Sequence, residues 1–125
     1  MADAASTHPD GTFSLLRGGI TQVNIAKNQP IAFRGALVAR ITATAAEAGH
    51  HEFKLVCVDP DGHAVGPELT GGFTLPAKGG HGNLAVNVEM IFPRLGHYEF
   101  LFSIDKHQRD SWPLEAREVP PTQVR

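Results

Sequence analysis

The sequence predicts an all-β fold, an antiparallel β-sandwich of about seven to eight strands with immunoglobulin-like or jelly-roll-like Greek-key connections. Three observations carry this. Apolar and polar residues alternate with period two through much of the chain, as in "NLAVNVEMIF" (Asn83 to Phe92). Glycine (13) and proline (9) are frequent and spread along the whole length, so turn signals recur often. No segment keeps a helical period for more than a turn. A sheet with one apolar face must bury it, and with no long helix available it buries it on a second sheet.

The elements follow in order. Residues 1–11 are small, polar or turn-forming and are expected to form a flexible arm. "TFSLLRGGITQVNI" (Thr12 to Ile25) reads as two short strands or one bent strand, broken at Gly18-Gly19. "KNQP" (Lys27 to Pro30) is a turn signal. "IAFRGALVARITAT" (Ile31 to Thr44) reads as a long strand, with Phe33, Gly35, Leu37, Ala39 and Ile41 on one face. "AAEAG" (Ala45 to Gly49) is long enough for one helical turn only. "HHEFKLVCVD" puts Phe53, Leu55 and Cys57 on one face. His63 to Pro76 reads as a weaker strand pair, broken at Gly66-Pro67 and Gly71-Gly72, and "AKGGHG" (Ala77 to Gly82) as a loop. In "NLAVNVEMIF" and "GHYEFLFSID" the inward sets are Leu84, Val86, Val88, Met90, Phe92 and Tyr98, Phe100, Phe102, Ile104. "SWPLEAREV" (Ser111 to Val119) closes the domain, and Pro113 marks it as an edge strand because proline has no N–H for a ladder. The domain thus spans 12–119, and 120–125 form a C-terminal tail.

Size and charge exclude several functions. A chain of 125 residues fits one domain. It buries roughly two-thirds of its unfolded surface, so no metal or disulfide staple is needed. The formal charge is −2 and no basic run occurs, which excludes a nucleic-acid footprint. The lone cysteine, Cys57, excludes an internal disulfide and suits a reducing compartment. No membrane span and no signal peptide are read, so a cytoplasmic protein is expected.

Few residues offer chemistry. "DPDG" (Asp59 to Gly62) could suggest a metal loop, but a calcium loop needs a later glutamate and flanking helices. Each residue instead has a turn role: Asp59 to bond forward amides, Pro60 to preset φ, Gly62 for the left-handed position. Seven histidines are present, without the HxH or HxxxH spacing of a metal site. A metal would draw on His50, His51 and His97, which converge only if their two similar strands lie side by side. Protonating all seven moves the net charge from −2 to +5, so association should respond to pH. Cys57 lies on an apolar face, where thiols are inert. Asp105, His107 and Asp110 surround a hairpin tip, "DKHQRD", too exposed to hold a preorganised group. No catalytic residue and no cofactor are expected.

Binding candidates are Trp112, Tyr98, Val56 and Leu101. Trp112 near a strand end suits either a stacking platform or a plug for the core. Val56, Val58, Leu101 and Ile91 are apolar where a solvated face should be polar. "GHHEFKL" (Gly49 to Leu55) is echoed by "GHYEFLF" (Gly96 to Phe102), two strands that enter the core in one manner. "PRLGHYEF" also fits a tyrosine corner at Tyr98, or plain core packing of its ring.

The order "LLRGGIT", "EAGHHEFKLVCVDPDG" and "LAVNVEMIFPRLGHYEFLFSIDKHQRDSWPLEARE" resembles a family of uncharacterised bacterial β-sandwich domains, with Gly62, Gly96, Tyr98 and Trp112 as matching positions. The resemblance implies the fold and no activity, substrate or site. The leading functional expectation is a non-catalytic domain acting through a protein partner or through itself, as a homodimer or larger homo-oligomer. The alternatives are a small-ligand or carbohydrate-binding module and a metal-dependent enzyme using its histidines.

Overall fold

Turn chemistry sets the strand ends. At Asp59–His63 the Asp59 N–H donates to the His63 carbonyl, and Gly62 N–H donates to the Asp59 carbonyl, each at 3.0 Å. Asp59 Oδ1 accepts the Asp61 and His63 amides at 3.0 and 2.9 Å, and Gly62 takes φ 84°. This is the bulged hairpin turn read from "DPDG". The following hairpin turns on two residues, Asp105 and Lys106, with φ 49° and 72°. Both are left-handed, as a tight right-twisting hairpin requires.

A computed structural model describes residues 1–9, 12–27 and 30–119; the two central residues of the expected "KNQP" turn, the last two residues of the arm and the 120–125 tail lie outside the described residues. The protein is all-β, with nine strands and one short 3₁₀ turn among the described residues. They are β1 (Ala2–Thr7), β2 (Phe13–Gly18), β3 (Gln22–Ala26), β4 (Ala32–Ala43), β5 (Gly49–Val58), β6 (Ala64–Leu75), β7 (Gly80–Ile91), β8 (Gly96–Ile104) and β9 (His107–Val119). The 3₁₀ turn, Ala45–Glu47, joins β4 to β5. A four-stranded sheet runs β2-β1-β4-β7 and a five-stranded sheet runs β3-β9-β8-β5-β6. No helix among the described residues is long and apolar enough to cross a membrane.

Four expectations are corrected. Residues 2–7, expected in a loose arm, form β1, which pairs with β2 along its length and meets β4 at Ala2↔Ala36. Its short, polar "ADAAST" has no alternation to read; pairing holds it, and Ala2 is buried. The sheets are not wholly antiparallel, since β3 runs parallel to β9 with Gln22 opposite Glu115. Residues 64–75 form one strand rather than a pair, irregular in register between Leu55 and Cys57 of its neighbour. Finally, β9 is interior, not an edge. Glu115 N–H donates to the Thr21 carbonyl on the β3 side at 2.9 Å. Pro113, two residues earlier, would point its N–H the same way, where β3 has not begun. The proline therefore removes no ladder bond.

The sheets share one core. Phe33, Leu37, Val88 and Met90 of the four-stranded sheet pack with Leu55, Cys57, Phe100, Phe102 and Leu114 of the other. Phe33, Leu37, Leu55, Phe100 and Leu114 are fully buried, each contributing about 1.5–3 kcal/mol of transfer free energy. No charged side chain is buried among the described residues.

Candidate functional site

At one end the two sheets do not close. The inward positions of β4 there are Ala39, Ile41 and Ala43, opposite Leu84, Gly82 and Gly80 of β7. Alanine and glycine fill little space, and a cleft of about 490 Å³ remains. Phe102, Ile104, Phe73, Leu75 and Trp112 of the facing sheet line its apolar side. Its polar lining comes from Glu47, His51, Asp105, Arg109, Asp110 and Arg40.

His51 enters from the start of β5 and is held at both ring nitrogens. Nδ1 donates to Asp105 Oδ2 and Nε2 donates to the Glu47 carbonyl, each at 2.6 Å. A carboxylate and a carbonyl can only accept, so both nitrogens carry protons and His51 is an imidazolium. The Asp105 bond first, and the Glu47 carbonyl second, raise its pKa above the ordinary histidine value. The ring stacks on Phe73, centroids 5.7 Å apart. Asp105 is fixed in turn: Oδ1 accepts the Glu52 amide at 3.0 Å. That bond, then the one from His51, lowers its pKa below the usual carboxylate range. The Glu47 carboxylate is likewise lowered, by the Thr44 amide and then the Thr44 hydroxyl, at 2.9 and 3.0 Å.

Arg109 reaches the cleft through a register slip. Phe102 faces Asp110 but Ser103 faces Gln108, so Arg109 is one residue too many on β9. Such a bulge re-aims a side chain that strict alternation would send the other way. The Arg109 guanidinium forms no hydrogen bond or ion pair with the described residues, though its charge is felt by Glu47 and Asp105. Trp112 meets Phe102 edge-on at 5.9 Å, and its indole N–H has no acceptor among the described residues. Since no buried polar side-chain atom there lacks a partner, that N–H is open to solvent.

The residues singled out from sequence fall in three places. Trp112 and His51 meet in the cleft. Val56 and Leu101 face each other across β5 and β8 on the outer side of the five-stranded sheet, half-buried, with Leu101 in a shallow depression beside Val58 and Pro113. Tyr98 is buried and its hydroxyl donates to the Arg94 carbonyl at 2.6 Å, so it serves as a corner and not as an exposed surface. The histidines do not gather. β5 and β8 lie side by side but antiparallel, which sets His51 and His97 at opposite ends, roughly 30 Å apart along the strands. His50 points outward to Glu52, at 3.2 Å. Asp59, Asp61 and His63 cluster in the turn, where Asp59 Oδ1 is already occupied by two amides and Oδ2 lies 3.6 Å from both His63 and Arg94. Asp105 and Asp110, set aside in the sequence as parts of an exposed hairpin tip, line the cleft, and Asp105 is held there by two hydrogen bonds; Arg109 was missed because a bulge, not a motif, places it.

The fold and the cleft thus define an all-β domain with one polar, aromatic-floored opening between its sheets. Residues 1–117 match the family of unknown function DUF6941, and the chain belongs to that family. The match agrees with the resemblance its turn and core motifs suggest. No curated protein matches the chain, and no solved structure does.

Proposed function

We propose that the domain is a non-catalytic binding module, and that the inter-sheet cleft is where it takes a small organic ligand. The observation that carries this is the cleft itself: about 490 Å³, with an aromatic floor and with Arg109, whose guanidinium has no hydrogen-bond partner among the described residues, beside it. That volume lies within the range of small-molecule pockets, roughly 300–1,000 Å³. Its fixed groups favour binding over catalysis. His51 has no free lone pair to act as a base, and both Asp105 oxygens are occupied. The finer fold reading is an immunoglobulin-like sandwich. The order β3-β9-β8-β5-β6 against β1-β4-β7 supports it, as does the Tyr98 corner at the entrance of β8. The lone, buried thiol of Cys57 supports a reducing, cytoplasmic setting.

The test is a ligand-observed NMR screen of a small-molecule library against the wild-type protein and Ala43→Phe, which fills the roof of the cleft. Hits that vanish on Ala43→Phe support the reading. Hits that bind both proteins equally, or a library without hits, sink it.

A second reading, association with another copy, is favoured by the edge strand β2. No strand among the described residues pairs with its outer side, and Phe13, Leu15 and Leu16 are exposed there. Light scattering decides it: a dimer that Leu16→Lys splits supports it, and a wild-type monomer at high concentration removes it.

A further inference from the structure

We propose that the cleft selects a small organic monocarboxylate with a flat apolar body, its carboxylate held by Arg109 and its body lying along Trp112 and Phe73. This rests on the reading of the cleft as a ligand site and names the ligand class.

The count of open hydrogen-bond donors across the cleft points to Arg109 as the place for an acceptor group. Three cations and three carboxylates line it. His51 and Asp105 neutralise each other at 2.6 Å. Glu47 Oε1 accepts the Thr44 amide and hydroxyl, and Asp110 Oδ1 accepts the Ser111 amide at 2.8 Å. Arg40 donates from Nε to Asn83 at 3.0 Å and lies over the Phe13 ring, 5.5 Å from its centroid. That leaves Arg109 as the cation whose donors are open among the described residues. A guanidinium offers two parallel N–H groups, which match the two oxygens of a carboxylate. A phosphate fits the same fork, but its second negative charge adds to the repulsion from Asp105, Asp110 and Glu47 that a monocarboxylate meets with one charge only.

The apolar part is also specified. Trp112 lies two residues beyond Asp110 and three beyond Arg109 on the same strand, so a ligand anchored at the bulge has an indole within reach. Across the floor, Phe73 stacks on the His51 ring. The roof of Ala39, Ile41 and Ala43 is aliphatic and shallow, and a flat body fits beneath it better than a branched one.

Trp112 is the sole tryptophan of the chain, so its emission reports the cleft directly. The experiment titrates wild-type protein and Arg109→Gln with three probes: 3-phenylpropanoate, its neutral amide 3-phenylpropanamide, and phenyl phosphate. The expected result is a saturable change in emission, with the carboxylate binding about tenfold tighter than the amide. Arg109→Gln should abolish that preference and leave amide binding unchanged; its side chain is exposed, so folding is not at stake. Equal binding of carboxylate and amide to the wild type overturns the anion assignment while the cleft stands. Tighter binding of phenyl phosphate overturns the choice of carboxylate. No response to any probe overturns this ligand class, and the library screen with Ala43→Phe then decides the cleft separately.

Discussion

His51 and Tyr98 occupy the same place in two adjacent strands, and each bonds the backbone carbonyl four residues upstream: His51 Nε2 to Glu47 and Tyr98 Oη to Arg94, both at 2.6 Å. Each sits two residues after a left-handed glycine, Gly49 at φ 109° and Gly96 at φ 141°. The echo between "GHHEFKL" and "GHYEFLF" is therefore a repeated local device. Because β5 and β8 are antiparallel, it fastens opposite ends of the domain. At one end the fastener is a phenol. At the other it is an ionisable ring.

Tyr98→Phe tests the first fastener. It removes one hydrogen bond and leaves the Arg94 carbonyl to water, so the expected loss is about 1 kcal/mol in urea unfolding. An unchanged midpoint would show that the corner contributes only through its ring against Phe92.

The second fastener should be pH-dependent. The His51 pKa is raised in the fold, so its stabilisation is complete below the unfolded value of about 6.5 and is lost as pH rises through the folded value. The Asp105 pKa is lowered, so its part is present above about 3.9 and is lost as pH falls through its folded value. The melting-temperature difference between wild type and His51→Phe should be greatest between these limits and shrink on the alkaline side. A difference that is flat across the alkaline side would refute the imidazolium.

Lys106→Gly should stabilise the protein by about 0.5–1 kcal/mol, since a side chain at φ 72° is strained and glycine is not. Asp105 has the same strain but gains bonds to Glu52 and His51. Thermal unfolding of the variant checks this; a lower melting temperature refutes it.

Gly35→Ala should loosen β1. An added Cβ would stand 2.6 Å from the Ala2 carbonyl oxygen and 2.7 Å from Phe33 Cζ, and the first is backbone that cannot swing aside. The expected cost is about 1–3 kcal/mol, with faster amide exchange confined at first to residues 4–7. Unaltered protection there would mean that β1 is held by β2 alone.

Cys57 should react with thiol reagents only when the protein unfolds. Burial, with the Asp59 charge second, pushes its thiol up to about 12. Rapid labelling of native protein at neutral pH contradicts the packing described for β5.

Much of this fold was legible because its central strands alternate strongly. β4, β5, β7 and β8 each carry an inward row of large apolar residues, and periodicity alone finds them. Where pairing decides, the sequence is mute. Nothing in "ADAAST" announces a strand, and nothing local reveals that Gln22 lies parallel to Glu115. The same limit hid half the cleft. Trp112 and His51 stand out by residue type, whereas Arg109 reaches the cleft through a slip of one residue in the pairing of β8 with β9. Asp105 reads as an exposed hairpin tip, yet two hydrogen bonds from β5 hold it still.

The parallel pairing of residues 22–26 with 115–119 bears on how the chain is made. A ribosome delivers β3 early and its companion, β9, after the domain's other strands. Until Val119 has cleared the exit tunnel, the edge of this sheet that β3 will occupy does not exist, and β3 must wait, unpaired, while nearly a hundred residues follow it. Closure of this edge of the sheet is thus postponed until β9 has emerged and can receive β3.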